Sequence, residues 1–234
     1  MSVKEQRDDY WVRYWTNNSM FDQENPQAQV ARTVLKVPID DQQWQLQLAE
    51  IERKLDPGSD DTLLDLCAGN GLIAKPFSRK CRSVTAVDVS RTLLERIDPV
   101  AYPNIVVTIG DIREVSLPAA EFSKGVMYTS LQYFSEREAI GIFETIRNAM
   151  SAGGIFLIGD IPDVDRIFDF YNKPEWVAAY FDSLKGSKPA MGTWFKKDIL
   201  CEMAKYVGFS RVVALAQPPH LITSHYRFDL LLTK

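Results

Sequence analysis

Short apolar stretches alternate with helical stretches from Thr62 onward, and this alternation constrains the fold more than any other feature of the chain. It is typical of a parallel sheet with helices on both faces, because parallel strands need a crossover between them. The sequence therefore predicts an α/β fold. The predicted strands are Thr62 to Leu66, Ser83 to Val87, Ile105 to Ile109, Gly125 to Thr129 and Ile155 to Gly159, and the predicted helices between them are Leu72 to Lys80, Arg91 to Ile97 and Glu136 to Met150.

Local signals predict where several elements begin and end. A helix with apolar residues at positions 44, 48, 51 and 55 should end before the breaker Asp56-Pro57-Gly58-Ser59. Ser135 and Glu138 form a predicted capping box, and Gly153-Gly154 should close the helix that this box begins. Two last strands, Arg211 to Ala216 and Tyr226 to Leu232, are joined by too short a connection for a crossover helix and are predicted to form an antiparallel hairpin.

Two segments depart from the alternating pattern. Residues 1–60 are predicted to form an N-terminal helical lid segment, and residues 61–234 the main domain. Within that domain, a stretch of about residues 163–195 is dense in aromatic side chains. Long additions to a compact domain usually serve as caps or binding loops. We therefore expect this stretch to be a substrate cap.

The segment LLDLCAGNG, residues 63–71, carries the most informative chemistry. Its glycines let the backbone turn tightly and bring a ligand against free N–H groups at a helix start. Asp65 lies at the end of the first strand, and Asp88 closes the next, where a carboxylate can accept both hydroxyls of a ribose. Asp111 ends the third strand, in a position to accept a hydrogen bond from an adenine amino group.

These motifs resemble those of the class I S-adenosylmethionine-dependent methyltransferases, over about Thr62 to Lys234. The resemblance implies a Rossmann-like seven-stranded, mostly parallel sheet with an antiparallel last strand. It also implies S-adenosyl-L-methionine as cofactor and S-adenosyl-L-homocysteine as product. Cys67 replaces the first glycine of the family's loop, and Ser123 stands where an acid often begins the fourth strand. The cofactor-binding residues expected are Tyr14, Asp65, Cys67, Ala68, Gly69, Asn70, Gly71, Asp88, Val89, Asp111, Ile112 and Met127.

Two other functions remain open. The segment from Gly69 to Ala74 also satisfies the relaxed G-x-G-x-x-G/A fingerprint of an NAD(P)-dependent oxidoreductase, and a non-catalytic S-adenosylmethionine-binding protein would share the same loop. Electrostatics favours the methyltransferase, because Asp65 would repel a pyrophosphate but stabilise an ammonium and a sulfonium. The predicted hairpin also takes the place of the second mononucleotide half that a dinucleotide fold needs.

The acceptor side is less well defined by the sequence. The N-terminal YW segment and the stretches SLQYF, IGDIP and YRFDLLLTK resemble bacterial methyltransferases of polysaccharide or natural-product pathways. This similarity implies methylation of an oxygen or nitrogen of a small molecule, such as a sugar or a secondary metabolite. A base would help an alcohol acceptor and is not needed for a neutral amine. The candidate catalytic residues are Asp160, His225 and Tyr128, and the candidate substrate-binding residues are Tyr133, Trp194 and His220.

Composition and charge limit the kinds of partner that this chain is expected to bind. The formal net charge is −4 and the sequence pI is about 5.3, with no Lys/Arg run longer than two, which disfavours nucleic acid. The three cysteines have no CxxC spacing, so we expect a reducing compartment and no metal site. With no apolar leader and no run of 18 apolar residues, the expectation is a cytoplasmic protein without a membrane partner, acting as a monomer or homodimer.

Overall fold

The computed structural model describes residues 10–17, 24–34, 37–186 and 191–234. A short N-terminal region precedes the main sheet. Its helices are α1 (Tyr10–Asn17), α2 (Pro26–Gln29) and α3 (Asp41–Leu55), and its strands are β1 (Thr33–Val34) and β2 (Val37–Pro38). The remaining elements are β3 (Thr62–Leu66), α4 (Ala74–Ser78), β4 (Ser83–Asp88), α5 (Arg91–Leu94), β5 (Ile105–Ile109), β6 (Phe122–Tyr128), α6 (Glu136–Ala149), β7 (Met150–Pro162), α7 (Ile167–Phe170), α8 (Pro174–Lys185), α9 (Lys197–Val207), β8 (Arg211–Ala216) and β9 (Arg227–Thr233).

The main sheet has seven strands in the order β5-β4-β3-β6-β7-β9-β8. Its first five strands pair in parallel, and β9 pairs antiparallel with both β7 and β8. The predicted fold class and the antiparallel last strand are therefore confirmed. The strand order reverses direction between β3 and β6, and in open α/β sheets ligands bind beyond the carboxyl ends of the strands at such a point.

Helices cover both faces of this sheet. Alternate residues of each strand point to opposite faces, so each strand contributes apolar side chains to the core on either side. Leu64 and Leu66 of β3 pack with α6 and α9, whereas Leu63 packs with α3 and α4. Strand β6 divides in the same way, with Met127 on the α6 side and Tyr128 on the α3 side. The two resulting cores hold the strand ends that face the candidate site.

Most predicted bounds agree with the structure, and the start of β7 does not. The capping box of Ser135 and Glu138 is present at α6. That helix ends at Ala149, however, and β7 begins at once with Met150 in extended conformation. The prediction that Gly153-Gly154 closes α6 is wrong, because both glycines lie inside β7. Gly153 has a φ of 73° and lies in the irregularity between the Met150 and Ile155 pairs with β6, and its N–H donates to the carbonyl of Lys234 at 3.0 Å.

The aromatic insertion begins and ends at one point of the fold. Asp163 and Phe195 meet in a parallel β-bridge at its base. The N–H of Val164 donates to the carbonyl of Phe195, and the N–H of Phe195 donates to that of Pro162. Between these points lie α7, α8 and a cluster of rings, and α8 has no buried residue along its length. The role of this segment as a substrate cap stays a prediction.

Candidate functional site

A cavity of about 960 Å³, including its open mouth, lies at the carboxyl ends of β3, β4, β5 and β6. Residues from α1, the α2–β1 segment and the loops after these four strands form its wall. The lining residues are Trp11, Val12, Trp15, Val30, Arg32, Asp65, Cys67, Ala68, Gly69, Asn70, Leu72, Ile73, Val87, Asp88, Val89, Leu93, Gly110, Asp111, Ile112, Arg113, Tyr128, Thr129, Ser130, Tyr133 and Phe134.

The glycine loop after β3 forms one side of this cavity in a tightly turned conformation. Cys67 and Gly69 both have positive φ, at 58° and 55°. A Cβ at position 69 would lie 2.8 Å from Val30 Cγ1, so only glycine fits there without a shift. The N–H of Gly69 donates to Asp88 Oδ2 at 2.8 Å, which ties the loop to the end of β4. The backbone of the loop is thus fixed before any ligand binds.

Asp65 is the most unusual group of the site. Its side chain lines the cavity, the residue is only 2% exposed, and no donor among the described residues reaches its Oδ2. Burial, reinforced by the nearby charge of Asp88, raises the pKa of Asp65 to about 8, although the backbone N–H of Ala74 and the guanidinium of Arg32 act in the opposite direction. A buried carboxylate oxygen without a donor is costly and favours a ligand that supplies one.

The two other acids of the sequence motif have partners. Asp88 accepts from the N–H of Ser90 at 2.7 Å and from Gly69, and burial raises its pKa. Asp111 pairs with Arg113, whose Nη1 also donates to Glu138 at 2.8 Å. Both acids line the cavity. Asp88 retains a lone pair for a ligand hydroxyl, whereas each oxygen of Asp111 already accepts two hydrogen bonds from Arg113.

Arg32 brings a cation to the same cavity. Its guanidinium carbon lies 4.5 Å from the ring centre of Trp44 and 4.9 Å from that of Tyr128, so the planar group is held between two aromatic faces. Its Nη1 donates to Gln47 Oε1 at 2.8 Å. Burial lowers the pKa of Arg32 below its usual value. Over the part of the chain that the structure describes, no carboxylate lies within 4.0 Å of its nitrogens.

Aromatic side chains of α1 lie over the cavity. Trp11 and Trp15 are one helical turn apart and therefore share a face of the helix. Their rings lie 4.6 Å and 5.4 Å from that of Tyr133, another lining residue. Burial raises the pKa of Tyr133 to about 12 and raises that of Tyr128 well above its usual value, so both phenols carry their proton at neutral pH.

Three residues expected at the cofactor lie outside the cavity wall. Tyr14 is on another face of α1, against the rings of Tyr10, Trp11 and Trp15. Met127 is fully buried on the opposite face of the sheet, because strand alternation assigns the cavity side to its neighbour Tyr128. Gly71 supports the loop from behind, where a Cβ would lie 2.8 Å from Ile97 Cγ1. These side chains are therefore placed away from a ligand in the cavity.

Asp160, a candidate base, also lies behind the cavity wall. Its Oδ1 accepts from Thr223 Oγ1 at 2.8 Å and Gln217 Nε2 at 3.1 Å, and its Oδ2 accepts from Thr129 Oγ1 at 3.0 Å. Burial alone would raise its pKa, but the charges of Arg227 and Arg32 and the donors Thr223 and Gln217 hold the pKa below its usual value, which makes Asp160 a weak base. Its bond to Thr129 links it to a residue that does line the cavity, and its role as the base stays a prediction.

The remaining candidates for the acceptor side lie elsewhere. The ring of His225 packs edge-on against Tyr226, and its carbonyl accepts from Arg166 at 3.0 Å. The carbonyl of His220 accepts from the side chain of Gln43. Trp194 lies about 6 Å from the rings of the aromatic insertion. None of the three lines the cavity, and a role for them at the acceptor stays a prediction.

Several lining residues were not among those expected from the sequence. The predicted N-terminal lid segment includes Trp11 and Trp15, but of its residues only Tyr14 was expected to bind the cofactor. Arg32 had no local signal, because it lies in a short connection far from the glycine loop and reaches the cavity only through the packing of α2 and α3. Thr129 could be suspected from its place at the end of a strand next to the switch point.

Neither a metal site nor a membrane-spanning helix is present among the described residues. No three His, Cys, Asp or Glu side chains among residues 10–17, 24–34, 37–186 and 191–234 are grouped to hold a metal ion. In those same ranges, no helix has the length and apolar character needed to cross a bilayer.

Comparison with known proteins agrees with this architecture. Residues 63–154 match the methyltransferase domain family. The match covers less than half of the chain, and over residues 63–154 it bears out the predicted resemblance to the class I methyltransferases. Magnesium protoporphyrin IX methyltransferase from Synechocystis PCC 6803, solved with S-adenosylhomocysteine, superposes with a TM-score of 0.65 at 12% identity, covering 97% of this chain and 99% of that one.

Other similar proteins have names that give different methyltransferase activities. Phosphoethanolamine N-methyltransferase 2 of Haemonchus contortus, solved with S-adenosyl-L-methionine, has a TM-score of 0.61 at 13% identity and covers 81% of this chain and 52% of that chain. A probable ribosomal RNA small subunit methyltransferase A of Pyrobaculum aerophilum is 32% identical over 60 residues, which are 26% of each chain. An rRNA methyltransferase of Streptomyces thermotolerans is 34% identical over 73 residues, 30% of this chain and 24% of that protein. The chain thus matches about a quarter of the length of these curated relatives.

Proposed function

We propose that this chain binds S-adenosyl-L-methionine and transfers its methyl group to an oxygen or nitrogen of a small molecule. The observation that carries the proposal is Asp65: a buried carboxylate at the wall of the cavity, with one oxygen that lacks a donor. The cofactor's methionine end offers an ammonium, which donates to this oxygen and stabilises the ionised form of a carboxyl group that burial keeps protonated in the ligand-free protein at pH 7. Structural neighbours that were solved with S-adenosylmethionine or S-adenosylhomocysteine support the same cofactor.

The other residues of the wall fit the remaining parts of this cofactor. The free lone pairs of Asp88 suit ribose hydroxyls, and the backbone of Ile112 suits an adenine edge. The nearby rings of Trp11 and Trp15 favour a cation and keep water out. When bound, the cofactor supplies an electrophilic methyl group on a sulfonium.

The residues that would face the methyl acceptor are better suited to positioning it than to removing a proton from it. Tyr128 and Tyr133 keep their protons at neutral pH, so they orient an acceptor by donating hydrogen bonds. Thr129 is fixed by its bond to Asp160 and offers a further polar contact. Holding an acceptor near the methyl group, aligned and dry, supplies much of the rate enhancement of such a displacement. An acceptor that needs no strong base suits this wall best.

A small acceptor is favoured over RNA for two reasons. The rings of Trp11, Trp15 and Tyr133 line the cavity, as aromatic side chains do in sites for small organic ligands. The net charge of −4 gives a phosphate backbone little long-range attraction. The rRNA methyltransferases among the relatives make RNA the alternative acceptor, and it is included in the test below.

The first test is calorimetric titration with S-adenosyl-L-methionine, S-adenosyl-L-homocysteine and NADPH. We expect micromolar binding of the first two, about −8 kcal/mol, and none of NADPH. Binding of NADPH alone would overturn the proposal in favour of an oxidoreductase. The second test supplies methyl-labelled cofactor with pooled sugars and metabolites or with total RNA. Label in the small-molecule pool is expected, label in RNA would refute the acceptor class, and no transfer to any pool would indicate a non-catalytic binding protein.

A further inference from the structure

One part of the cavity wall lies beyond the polar residues that fit the cofactor. Those residues lie on or after β3, β4 and β5, whereas this part follows β6 and is completed by α1. Strand β6 is the last of the four in the sheet order β5-β4-β3-β6, so this part lies at one end of the cavity. We call it the acceptor end, and it is lined by Trp11, Trp15, Tyr128, Thr129 and Tyr133.

Three aromatic side chains form a continuous surface at the acceptor end. Trp11 and Trp15 lie on one face of α1, and their ring centres are 4.6 Å and 5.4 Å from that of Tyr133. All three side chains are only half-buried although they line the cavity. Large rings gain most when a second flat ring covers them, either stacked or edge-on. This surface therefore suits a flat aromatic ligand.

Polar groups at the acceptor end are few. Thr129 Oγ1 donates to Asp160 Oδ2 at 3.0 Å, and Ser130 Oγ donates to the carbonyl of Tyr128 at 3.0 Å. Among the described residues, every carboxylate and side-chain amide of the wall lies on or after β3, β4 or β5. A sugar would bring several hydroxyls to this end, and each one left without a partner costs binding energy. A ligand with one or two hydroxyls avoids that cost.

The charges around the acceptor end favour a hydroxyl over an ammonium. Burial raises the pKa of Tyr133 to about 12, while the positive charges of Arg227 and Arg32 act to lower it. Both guanidinium groups therefore act on a phenol that lines the cavity. Asp160, the carboxylate bonded to Thr129, lies behind the wall and is 3.5 Å from Arg227. A cationic ligand would thus meet positive charge without a carboxylate to bind, whereas a hydroxyl on an aromatic ring ionises near the usual pKa of tyrosine, about 10, and gains from that charge.

We propose that the acceptor bound at this end is a flat aromatic compound with a ring hydroxyl. Its ring packs on Trp11, Trp15 and Tyr133, and its hydroxyl lies beside Tyr128 and Thr129. The proposal rests on the function proposed above and goes further by naming the chemical class of the acceptor. It selects aromatic metabolites over sugars, because the acceptor end offers a large apolar surface and few hydrogen-bonding side chains.

The test measures binding and does not need the natural acceptor. Protein saturated with S-adenosyl-L-homocysteine is titrated calorimetrically with 7-hydroxycoumarin, coumarin, methyl α-D-glucoside and benzyltrimethylammonium. We expect 7-hydroxycoumarin to bind at least about 10-fold more tightly than the glucoside, because of its ring. It should bind about 3- to 10-fold more tightly than coumarin, which lacks the hydroxyl, and more tightly than the aromatic cation.

Variants then assign these preferences to the acceptor end. In Trp15→Leu the preference for 7-hydroxycoumarin over the glucoside should fall at least about 5-fold, because the ring contact is lost. In Tyr128→Phe or in Thr129→Val the preference for 7-hydroxycoumarin over coumarin should fall to about 2-fold or less. Tyr206→Leu removes an aromatic ring that is 81% exposed on α9, outside the cavity wall, and is the matched control. It should keep both preferences.

The outcomes separate this inference from the function on which it rests. If wild-type protein does not bind S-adenosyl-L-homocysteine, the proposed function fails. If the loaded protein binds neither coumarin, or binds the glucoside or the aromatic cation as tightly as 7-hydroxycoumarin, this inference fails alone. Equal binding of the two coumarins would refute the assignment of a hydroxyl. Preferences that persist in Trp15→Leu, or in both Tyr128→Phe and Thr129→Val, would show that the ligand binds elsewhere.

Discussion

Replacing Asp65 by Asn should stabilise the ligand-free protein and weaken cofactor binding at the same time. The folded protein holds the pKa of Asp65 at about 8, against a usual 3.8, with burial as the main cause. Each pKa unit corresponds to about 1.4 kcal/mol. Ionising this group at pH 7 therefore costs the folded state up to about 4 kcal/mol relative to the unfolded chain, and an amide avoids that cost.

The sign of the pH dependence follows from proton binding. Between about pH 4 and pH 8 the folded state holds the Asp65 proton more tightly than the unfolded state does, so the contribution of Asp65 to stability falls as pH rises. The Asn variant lacks this dependence. The difference in Tm between Asp65→Asn and wild type should be near zero at pH 4 and grow to its limit near pH 8. At pH 7 the difference in Tm should be about 8 to 16 °C for a domain of this size.

Differential scanning fluorimetry from pH 4 to 9, without ligand, measures this difference, and Asp60→Asn serves as the exposed control. Calorimetry on the same proteins should show a loss of about 10- to 100-fold in affinity for S-adenosyl-L-homocysteine in Asp65→Asn only. A Tm difference that does not grow with pH would refute the assignment of a buried, proton-holding carboxylate. Unchanged affinity would show that Asp65 does not bind the ammonium of the ligand.

Three further changes test the fold that supports the site. Ser135→Ala removes the cap and half of the box with Glu138, and should lower the free energy of unfolding by about 1 kcal/mol in urea denaturation, with no change in cofactor affinity. Lys54→Met leaves the fully buried carboxylate of Asp229 without its partner at 2.6 Å, and should lower the free energy of unfolding by about 3 to 5 kcal/mol. Adding Asp229→Asn to this variant should restore part of the loss. Full wild-type stability of Lys54→Met would contradict the pairing. Asp160→Asn should destabilise the protein at pH 7, and the deficit should shrink as pH falls below about 4, because a lowered pKa stabilises the fold only while the carboxylate is ionised; a pH-independent deficit would argue against the charge.

The sheet was predictable because its signals are local. The strand of residues 62–66 and the edge strand of 105–109 have the same bounds in sequence and structure, since each apolar run is flanked by turn residues. The start of β7 was not predictable from its glycines. Strand β7 pairs with β6 at Met150 and again from Ile155 onward, and Gly153, with a φ of 73°, lies in the irregular part between these pairs. Tertiary pairing on either side of the glycines therefore overrides the usual tendency of Gly-Gly to end a helix.

The candidate site also contains residues that the sequence predicts and residues that it does not. The residues of the glycine loop line the cavity because their spacing along one turn determines their position, as Asp65 and Gly69 show. Arg32 and Trp15 come from elements whose packing on the sheet no local pattern reveals. Asp160 illustrates the converse case: an acid at a strand end fits a catalytic pattern, but its role depends on side chains more than fifty positions away in the chain.

The position of β9 also affects how the chain folds during synthesis. This strand lies between β7 and β8, although both of those precede it in the chain. Until residues 227–233 leave the ribosome, the long strand β7 exposes an unpaired hydrogen-bonding edge, and β8 has no neighbour in the sheet. Open edges of this kind recruit other strands. The nascent protein should therefore depend on chaperone protection late in translation, and ribosome stalling just before β9 should yield aggregates rather than a smaller folded domain.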